Sequence, residues 1–197
     1  MKVAITGTSG LARVIKDKLE EQDIKVSTPR VEDLTMNGTN WWGFNSNNSN
    51  HVDVLINFAH KGFEQTRILD ITHQAWKEDR SKYLINFSSR AAQPNISKGH
   101  VYAAEKAALN HLANNLTYNS DRQYKMTTLN LGLLNNDDLP SLSHGEVAEL
   151  VSWLIANPNI EITDMTVSAH ANYIEVQNDK QTLLELEKDF LKFNKDN

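Results

Sequence analysis

The sequence predicts an α/β fold, a doubly wound parallel sheet with helices on both of its faces. Short apolar runs rich in β-branched residues alternate along the chain with longer segments of helical periodicity. Strands that alternate with helices pair in parallel through right-handed crossovers. No internal repeat, linker or change of composition divides the 197 residues, so we expect a single domain over residues 1–197 with a full hydrophobic core.

Composition argues against several classes of function. The chain has no cysteine, and its seven histidines lack a close ligand spacing, which argues against disulfides, thiolate catalysis and a structural metal. A net charge of −5 without a basic cluster argues against nucleic acid as the main partner. No apolar stretch approaches the roughly 20 residues of a membrane span, and the chain begins with a strand-like run rather than a leader. We therefore expect a cytoplasmic protein without metal, nucleic acid or membrane partners.

The amino-terminal segment predicts a strand, a glycine turn and an amphipathic helix. A β-favouring run at 2–6 leads into Gly-Thr-Ser-Gly at 7–10. Such a turn lets the backbone approach a phosphate, and the helix amino terminus supplies unpaired N–H groups. The segment is a candidate phosphate-binding turn, with a plain tight turn as the alternative. An apolar stripe at helical spacing follows the turn: Leu11, Val14, Ile15 and Leu19.

The later elements are assigned from the same two periodicities. One predicted helix begins with Ser143 and Glu146, which have the spacing of a capping box. Trp41, Trp42 and Phe44 are expected to anchor a short segment on the core rather than to form an exposed patch. The predicted strands lie at 24–28, 31–34, 52–60, 82–87, 126–132 and 162–167, and the predicted helices lie at 62–76, 100–118, 143–154 and 179–194.

A serine pair and a tyrosine–lysine pair flank the step from a predicted strand to a predicted helix. The strand leads into Ser88 and Ser89, and an alanine-rich helical segment begins near Val101. Tyr102 and Lys106 are four residues apart and therefore share a helix face. An ammonium beside a phenol favours the phenolate, which suits a tyrosine to acid–base chemistry. The alternative is an ordinary amphipathic helix whose lysine extends to water.

In these motifs the sequence resembles the short-chain dehydrogenase/reductases, a family with a Rossmann-type fold, a Tyr-x-x-x-Lys motif and an upstream serine. Ser89 stands thirteen positions before Tyr102, which is the family's usual spacing. The resemblance implies that Tyr102 exchanges a proton with a carbonyl or alcohol oxygen and that Ser89 holds this oxygen by a hydrogen bond. It also implies that Lys106 supports the tyrosine and contacts the nicotinamide ribose.

The resemblance further implies a dinucleotide cofactor on the glycine turn. NAD-binding members end their second strand with a carboxylate that holds the ribose 2′-hydroxyl, but no acid stands at this point here. Arg30 matches a phosphate in charge and geometry, so NADP is favoured, and NAD remains the alternative. The residues that the resemblance assigns to the cofactor are Gly7, Thr8, Ser9, Gly10, Leu11, Thr28, Arg30, Asn57, Ala59, Tyr102, Lys106 and Gly132. Asn57 would also stabilise the central sheet.

The sequence departs from the family pattern at several places. The glycine loop is one residue shorter, and the chain is abbreviated between residues 60 and 89. The family's helix asparagine, which holds a water of the proton relay, has no counterpart there; His60 and Gln65 are the candidates to replace it. Ala12 stands where the family has the third glycine of the loop, and Leu131 stands where it has the proline before Gly132. In the family's Asp-x-Leu-Val-Asn-Asn-Ala-Gly strand, Phe58 replaces the second asparagine and His60 replaces the glycine.

The predicted function is that of an NAD(P)(H)-dependent oxidoreductase that interconverts a carbonyl and an alcohol on a small substrate. One alternative is a non-catalytic NADP-binding regulatory or scaffold protein, which the altered glycine loop favours. Another is a sugar-nucleotide reductase or epimerase. Only about ten residues separate Gly132 from the next helix, which argues against the large substrate and predicts a pocket that is open or completed by a partner.

The resemblance also implies an assembly. Family members pair through a four-helix contact, and the helices at 62–76 and 100–118 occupy the corresponding positions. Ala103, Ala107 and Leu109 form an acid-free face that would allow close approach. We therefore expect a homodimer or a homotetramer.

Overall fold

A six-stranded parallel sheet lies at the centre of the computed structural model, which describes residues 1–8, 10–35, 52–93 and 99–170. The strands are β1 (Lys2–Ile5), β2 (Lys25–Ser27), β3 (Val54–Asn57), β4 (Tyr83–Ser89), β5 (Lys125–Leu131) and β6 (Asp164–Val167). The helices are α1 (Leu11–Glu20), α2 (Val31–Thr35), α3 (Glu64–Trp76), α4 (His100–Tyr118) and α5 (His144–Ala156). A short 3₁₀ turn at Arg90–Ala92 follows β4.

The strand order is β2-β1-β3-β4-β5-β6. From β1 the chain first moves outward to β2, and it then crosses back past β1 to build the rest of the sheet from β3 onward. The connections after β1 and β3 therefore leave neighbouring strands in opposite directions. In open parallel sheets the crevice at such a reversal, at the carboxyl ends of the strands, is where ligands bind.

Two apolar layers enclose the sheet. Alternate residues of a strand face opposite sides, so Val3 and Ile5 join the layer of α1 and α5, whereas Ala4 joins the layer of α3 and α4. The α1 stripe is confirmed, because Leu11, Ile15 and Leu19 are buried there and Val14 packs against them. This architecture confirms the predicted fold class of a parallel sheet covered by helices on both faces.

One predicted strand is wrong. Residues 31–34 begin helix α2 rather than forming a strand. Val31 and Leu34 are both buried in the layer of α3 and α4. Residues three apart face the same way on a helix but opposite ways on a strand, so this spacing is helical. The sheet consequently has one strand fewer than predicted.

The capping box of α5 is confirmed. The Ser143 hydroxyl accepts a hydrogen bond from the backbone N–H of Glu146, and the Glu146 carboxylate accepts one from the backbone N–H of Ser143. These reciprocal bonds satisfy two N–H groups at the helix start and fix where the chain enters α5. The connection from β5 therefore ends, and α5 begins, at a defined residue.

Three predictions fall on residues outside those described. They concern Ser9 of the glycine turn, the aromatic group Trp41, Trp42 and Phe44, and the carboxy-terminal helix at 179–194. Across the described ranges, no helix is long and apolar enough to cross a bilayer. The same ranges contain no group of three or more His, Asp or Glu side chains placed to hold a metal ion.

Candidate active site

The structure brings most of the predicted site residues to the carboxyl edge of the sheet. Gly7 follows β1, Ala59 follows β3, Ser89 ends β4 and Gly132 follows β5. Because the strands are parallel, these connections all leave at the same edge. Arg30 follows β2, three strand spacings from β4, which corresponds to about 14 Å along the edge. The predicted site is therefore an elongated row across four neighbouring strands, extended by Gly132 on the fifth.

The glycine turn depends on two glycines with left-handed backbone. Gly7 has φ +110°, and a Cβ there would lie 3.2 Å from the Phe58 ring. Gly10 has φ +55°, and its carbonyl accepts hydrogen bonds from the backbone N–H groups of Arg13 and Val14. Side chains rarely adopt these angles, so both positions favour glycine. Among the described residues no side chain caps α1 at Gly10, which leaves first-turn N–H groups for an anion such as a pyrophosphate. The turn therefore fits the cofactor that the sequence predicts.

Thr6 fastens this turn to the neighbouring strand, a role that sequence reasoning missed. Its hydroxyl oxygen accepts hydrogen bonds from the backbone N–H groups of Phe58 and Ala59, at 2.8 and 2.9 Å. The threonine is fully buried. A polar residue at the end of an otherwise apolar strand was the available signal, because a buried hydroxyl needs a partner. Thr6 thereby fixes the ends of β1 and β3 relative to each other.

Asn57 lies inside the protein rather than at the surface of the crevice. Its side chain is fully buried, and its amide N–H₂ group donates to the Gln65 carbonyl at 2.8 Å and to Asn86 Oδ1 at 3.0 Å. Asn86 is the residue paired with it on β4. Asn57 thus ties β3 to β4 and α3. Its burial leaves no side-chain surface for the predicted cofactor contact, so that assignment is corrected to a purely structural one.

Gln65 connects both strands to the candidate lysine. Its amide N–H₂ group faces the backbone carbonyls of Asn57 and Phe87, at 2.9 and 3.1 Å. Its amide oxygen accepts a hydrogen bond of 2.6 Å from Lys106 Nζ. Gln65 was one of two candidates for the position of the family's helix asparagine. Its direct bond to Lys106 makes it the anchor of that lysine.

Lys106 points into the protein and does not extend to water, which excludes the alternative of an ordinary amphipathic helix. Only 4% of the residue is exposed, and Nζ donates to Gln65 Oε1 and, at 2.7 Å, to the Phe87 carbonyl. Burial lowers the pKa of its ammonium to about 8, and the charge of Glu105 partly opposes this shift. An ammonium carries three N–H donors, so one remains beyond these two bonds.

Tyr102 lies next to this lysine on the same face of α4, as their spacing predicts. The Lys106 Nζ atom is 5.6 Å from the centroid of the Tyr102 ring. The ring of His60 meets the tyrosine ring edge-on from the connection after β3, with centroids 4.9 Å apart. Tyr102 itself is 37% exposed. Its ring is therefore held by protein groups while part of it faces solvent.

The two serines at the end of β4 differ in their surroundings. Ser89 is half-buried, and its hydroxyl oxygen accepts a hydrogen bond of 3.1 Å from the backbone N–H of Ala91. Ser88 is buried, and its hydroxyl has no hydrogen-bond partner among the described residues. Ser89 thus lies at the edge with its own hydroxyl proton available to a ligand. This agrees with the spacing to Tyr102, which selects the second serine.

Glu105 is a residue for which no role was predicted from the sequence. Its carboxylate lies 2.5 Å from His60 Nε2 and is almost buried, with 10% of the side chain exposed. Glu105 is three residues after Tyr102 and therefore lies on the same side of α4. This spacing was the available signal, but its meaning depends on His60, which is distant in sequence.

The residues at the two ends of the row have different surroundings. Thr28 is half-buried and Arg30 is exposed after β2. Glu32, the first acid after that strand, forms an ion pair with Lys61, and this hydrogen bond lowers the pKa of the Glu32 carboxyl. At the other end, a Cβ on Gly132 would lie 2.7 Å from Ser168 Cβ. Close approach of the chain after β6 is therefore a structural reason for this glycine, besides the predicted cofactor contact.

Comparison with known proteins supports the fold through structure alone. No family model and no curated protein sequence matches the chain. The chain is similar to serine dehydrogenase from Escherichia coli, with a TM-score of 0.67 and 18% identity over 85% of this chain and 97% of that one. The fold is of the Rossmann type. This chain shares the fold with the Escherichia coli enzyme, but their sequence identity is too low to transfer an activity.

Two further solved structures have the same fold and contain nicotinamide cofactors. One is an alcohol dehydrogenase from the archaeon Thermococcus sibiricus complexed with 5-hydroxy-NADP, with a TM-score of 0.65 and 18% identity over 86% of this chain and 97% of that one. The other is a 3-alpha-hydroxysteroid dehydrogenase from Pseudomonas sp. B-0831 complexed with NADH, with a TM-score of 0.64 and 15% identity over 85% of this chain and 95% of that one.

The buried Lys106 ammonium predicts a specific pH dependence of stability. Its pKa is about 8 in the folded protein and near 10.5 when the lysine is exposed on unfolding. Between these values the unfolded chain binds more protons, so the free energy of unfolding gains a contribution that rises with pH. Lys106→Met should remove this rise. The free energy of unfolding of the wild type minus that of the variant, measured by urea denaturation from pH 7.5 to 10, should therefore increase with pH. Exposed Lys25→Met is the control and should show a constant difference.

Proposed function

We propose that this chain is an NAD(P)(H)-dependent oxidoreductase that interconverts a carbonyl and an alcohol on a small molecule. One observation carries the proposal: the buried Lys106 ammonium adjoins the partly exposed Tyr102 ring, at the sheet edge where Ser89 ends its strand. A tyrosine, a cation and a free hydroxyl together can protonate and hold a carbonyl oxygen. That dehydrogenases share the fold supports the same reading.

A cofactor would lie along the row of residues at the carboxyl edge. Its pyrophosphate would be held by the backbone of the glycine turn, with Gly7, Thr8, Ser9, Gly10 and Leu11. Thr28 and Arg30 would face a 2′-phosphate, which favours NADP over NAD, and Ala59 and Gly132 would border the dinucleotide. When bound, a nicotinamide cofactor supplies or accepts the hydride.

The chain's own residues would supply the proton and the binding of the oxygen. In reduction, the Tyr102 hydroxyl gives its proton to the carbonyl oxygen as the carbonyl carbon gains the hydride; oxidation reverses both transfers. The Ser89 hydroxyl donates a hydrogen bond to the same oxygen, while its own oxygen is fixed by the Ala91 N–H. The Lys106 ammonium, held by Gln65 and Phe87, stabilises the phenolate that forms.

The connection between β5 and α5 favours a small substrate over a sugar nucleotide. The backbone N–H of Leu142 donates to the Leu133 carbonyl, and that of Asn135 donates to the Leu142 carbonyl. The connection therefore closes on itself within about ten residues and does not form an extended flap. A sugar-nucleotide reductase or epimerase would need more protein surface at this point than the connection provides.

A non-catalytic NADP-binding regulator or scaffold is the second candidate. The shortened glycine turn and Leu131, where the resembling family has proline, favour this alternative. Both candidates require nucleotide binding, and only the first requires Tyr102 to transfer a proton. We also propose that residues 1–197 form one domain and that the protein is cytoplasmic.

The assembly proposal keeps the homodimer or homotetramer but changes its contact residues. Leu109 is fully buried in the core of its own chain, which corrects its assignment to an interface. Ala103 and Ala107 are half-buried and leave small side chains for close helix approach.

Light scattering at micromolar concentration should give the mass of a dimer or tetramer, and Ala103→Glu should shift this mass toward that of the monomer. A monomeric mass for the wild type would contradict the proposal.

The cofactor prediction concerns Arg30. NADP(H) should bind more tightly than NAD(H), because a guanidinium forms charge-assisted hydrogen bonds with a phosphate. Arg30→Ala should narrow this preference by about 10- to 100-fold, the value of one such interaction. Calorimetric titration with both nucleotides measures the change. Arg80→Ala, whose side chain bonds Gln123 at the opposite edge of the sheet, is the control. Equal affinities of the wild type for both nucleotides would remove the argument.

The catalytic prediction concerns the Tyr102 hydroxyl. Tyr102→Phe should lower kcat by about 10²- to 10⁴-fold, the contribution of general acid catalysis, because the ring still fills its place without a proton to give. NADPH affinity should stay nearly unchanged. A panel of aldehydes and ketones, followed at the nicotinamide absorbance, supplies the measurement. Tyr118→Phe, on the exposed far end of α4, should leave the rate unchanged. Wild-type protein that binds NADPH but reduces nothing in the panel would favour the regulatory candidate.

A further inference from the structure

A histidine and a glutamate outside the serine, tyrosine and lysine set contact the candidate tyrosine. His60 Nε2 and Glu105 Oε2 are 2.5 Å apart, a close hydrogen-bonding contact between an imidazole nitrogen and a carboxylate oxygen. The same imidazole meets the Tyr102 ring edge-on at 4.9 Å between centroids. His60 therefore joins the tyrosine to a carboxylate on the same helix. It also joins α4 to the connection that leaves β3.

The carboxylate of Glu105 also acts on Lys106, the next residue of α4. Because only 10% of the side chain is exposed, water screens its charge less than that of a surface carboxylate. Lys106 follows directly, and the negative charge of Glu105 counters part of the effect of burial on the Lys106 ammonium. The second oxygen of Glu105 lies towards Gly62, where an added Cβ would be 3.7 Å away. One nearly buried carboxylate thus lies against an imidazole and a close stretch of backbone, on the residue that directly precedes the buried lysine.

We propose that Glu105 is a positioning residue of this site, which holds His60 against the Tyr102 ring and supplies the counter-charge of Lys106. The inference rests on the proposed function, because it assigns Glu105 a task only if Tyr102 transfers a proton. The two contacts act on different properties. The bond to His60 restrains the orientation of the tyrosine, and the charge acts on the protonation of the lysine.

The surrounding charges leave Glu105 as the carboxylate in direct contact with His60. From α4, Tyr102 and Glu105 contact His60, and the Lys106 ammonium lies 5.6 Å from the centroid of the same tyrosine ring. Lys61 follows His60 and is paired with Glu32 of α2. Glu64 of α3 acts on Lys61 and is paired with Arg67. Glu32 of α2 and Glu64 of α3 are thus each paired with another cation, and the His60–Glu105 bond carries the connection to the tyrosine.

Two substitutions separate the two contacts. Glu105→Gln keeps an acceptor for His60 but removes the charge, so Lys106 should lose its proton at a lower pH. The alkaline limb of the kcat profile should then move down by about one pH unit. His60→Phe keeps an aromatic edge beside Tyr102 but cannot bond Glu105. It should lower kcat about tenfold, the loss of one charge-assisted hydrogen bond, with the alkaline limb in place and the KM for NADPH nearly unchanged.

A measurement without turnover tests the charge independently of the proposed reaction. Lys106→Met is made both in the wild type and in Glu105→Gln, and in each background the free energy of unfolding with Met is subtracted from that with lysine. This difference should begin to rise with pH at a lower pH in the Glu105→Gln background than in the wild type. Glu149→Gln removes a carboxylate that pairs with Lys18 on the opposite side of the sheet, and it should change neither profile. An active Glu105→Gln variant with the wild-type pH profile would overturn the inference and leave the proposed function standing. If the wild type reduces no substrate, equal onsets in the two stability differences would overturn it as well.

Discussion

The ammonium of Lys106 is the group on which the arrangement of this site depends. A buried ammonium is costly unless it is hydrogen-bonded, so the surrounding chain must present acceptors to it. Gln65 and the Phe87 carbonyl do so, and Gln65 can face Lys106 because its own amide is held by the ends of β3 and β4. The lysine therefore links α3, α4 and two central strands in one hydrogen-bonded network. These bonds hold its ammonium 5.6 Å from the centroid of the Tyr102 ring.

The carboxyl ends of the central strands are polar for a related reason. Asn57 and Asn86 pair across β3 and β4, and Thr6 reaches from β1 to the residues after β3. The amino-terminal halves of these strands are apolar and pack into the two layers of the core. The hydrogen bonds that fix loop positions thus lie at the carboxyl ends of these strands, next to core residues such as Ile56 and Phe87. They hold the connections of the sheet in place at the edge where the candidate site lies.

The fold could be predicted from the sequence because it depends on local periodicity, which each segment carries by itself. The α1 stripe and the capping box of Ser143 and Glu146 are examples. The error at Val31–Thr35 arose because five residues contain too few positions to separate a strand period from a helical one. Ser89, Tyr102 and Lys106 could be chosen because their spacing resembles that of the short-chain dehydrogenase/reductases. The roles of Thr6, Gln65 and Glu105 could not, because each depends on a partner from another element: Phe58, Lys106 and His60 respectively.

The exposure of Tyr102 bears on the missing asparagine of the proton relay. A deeply buried acid needs a chain of side chains and waters to recover its proton after each turnover. Tyr102 is partly open to solvent. In the proposed reaction, bulk water could therefore return the proton to the phenolate directly. In this arrangement the tyrosine would be reprotonated from solvent and would need no internal relay. Gln65 would then serve to hold the lysine.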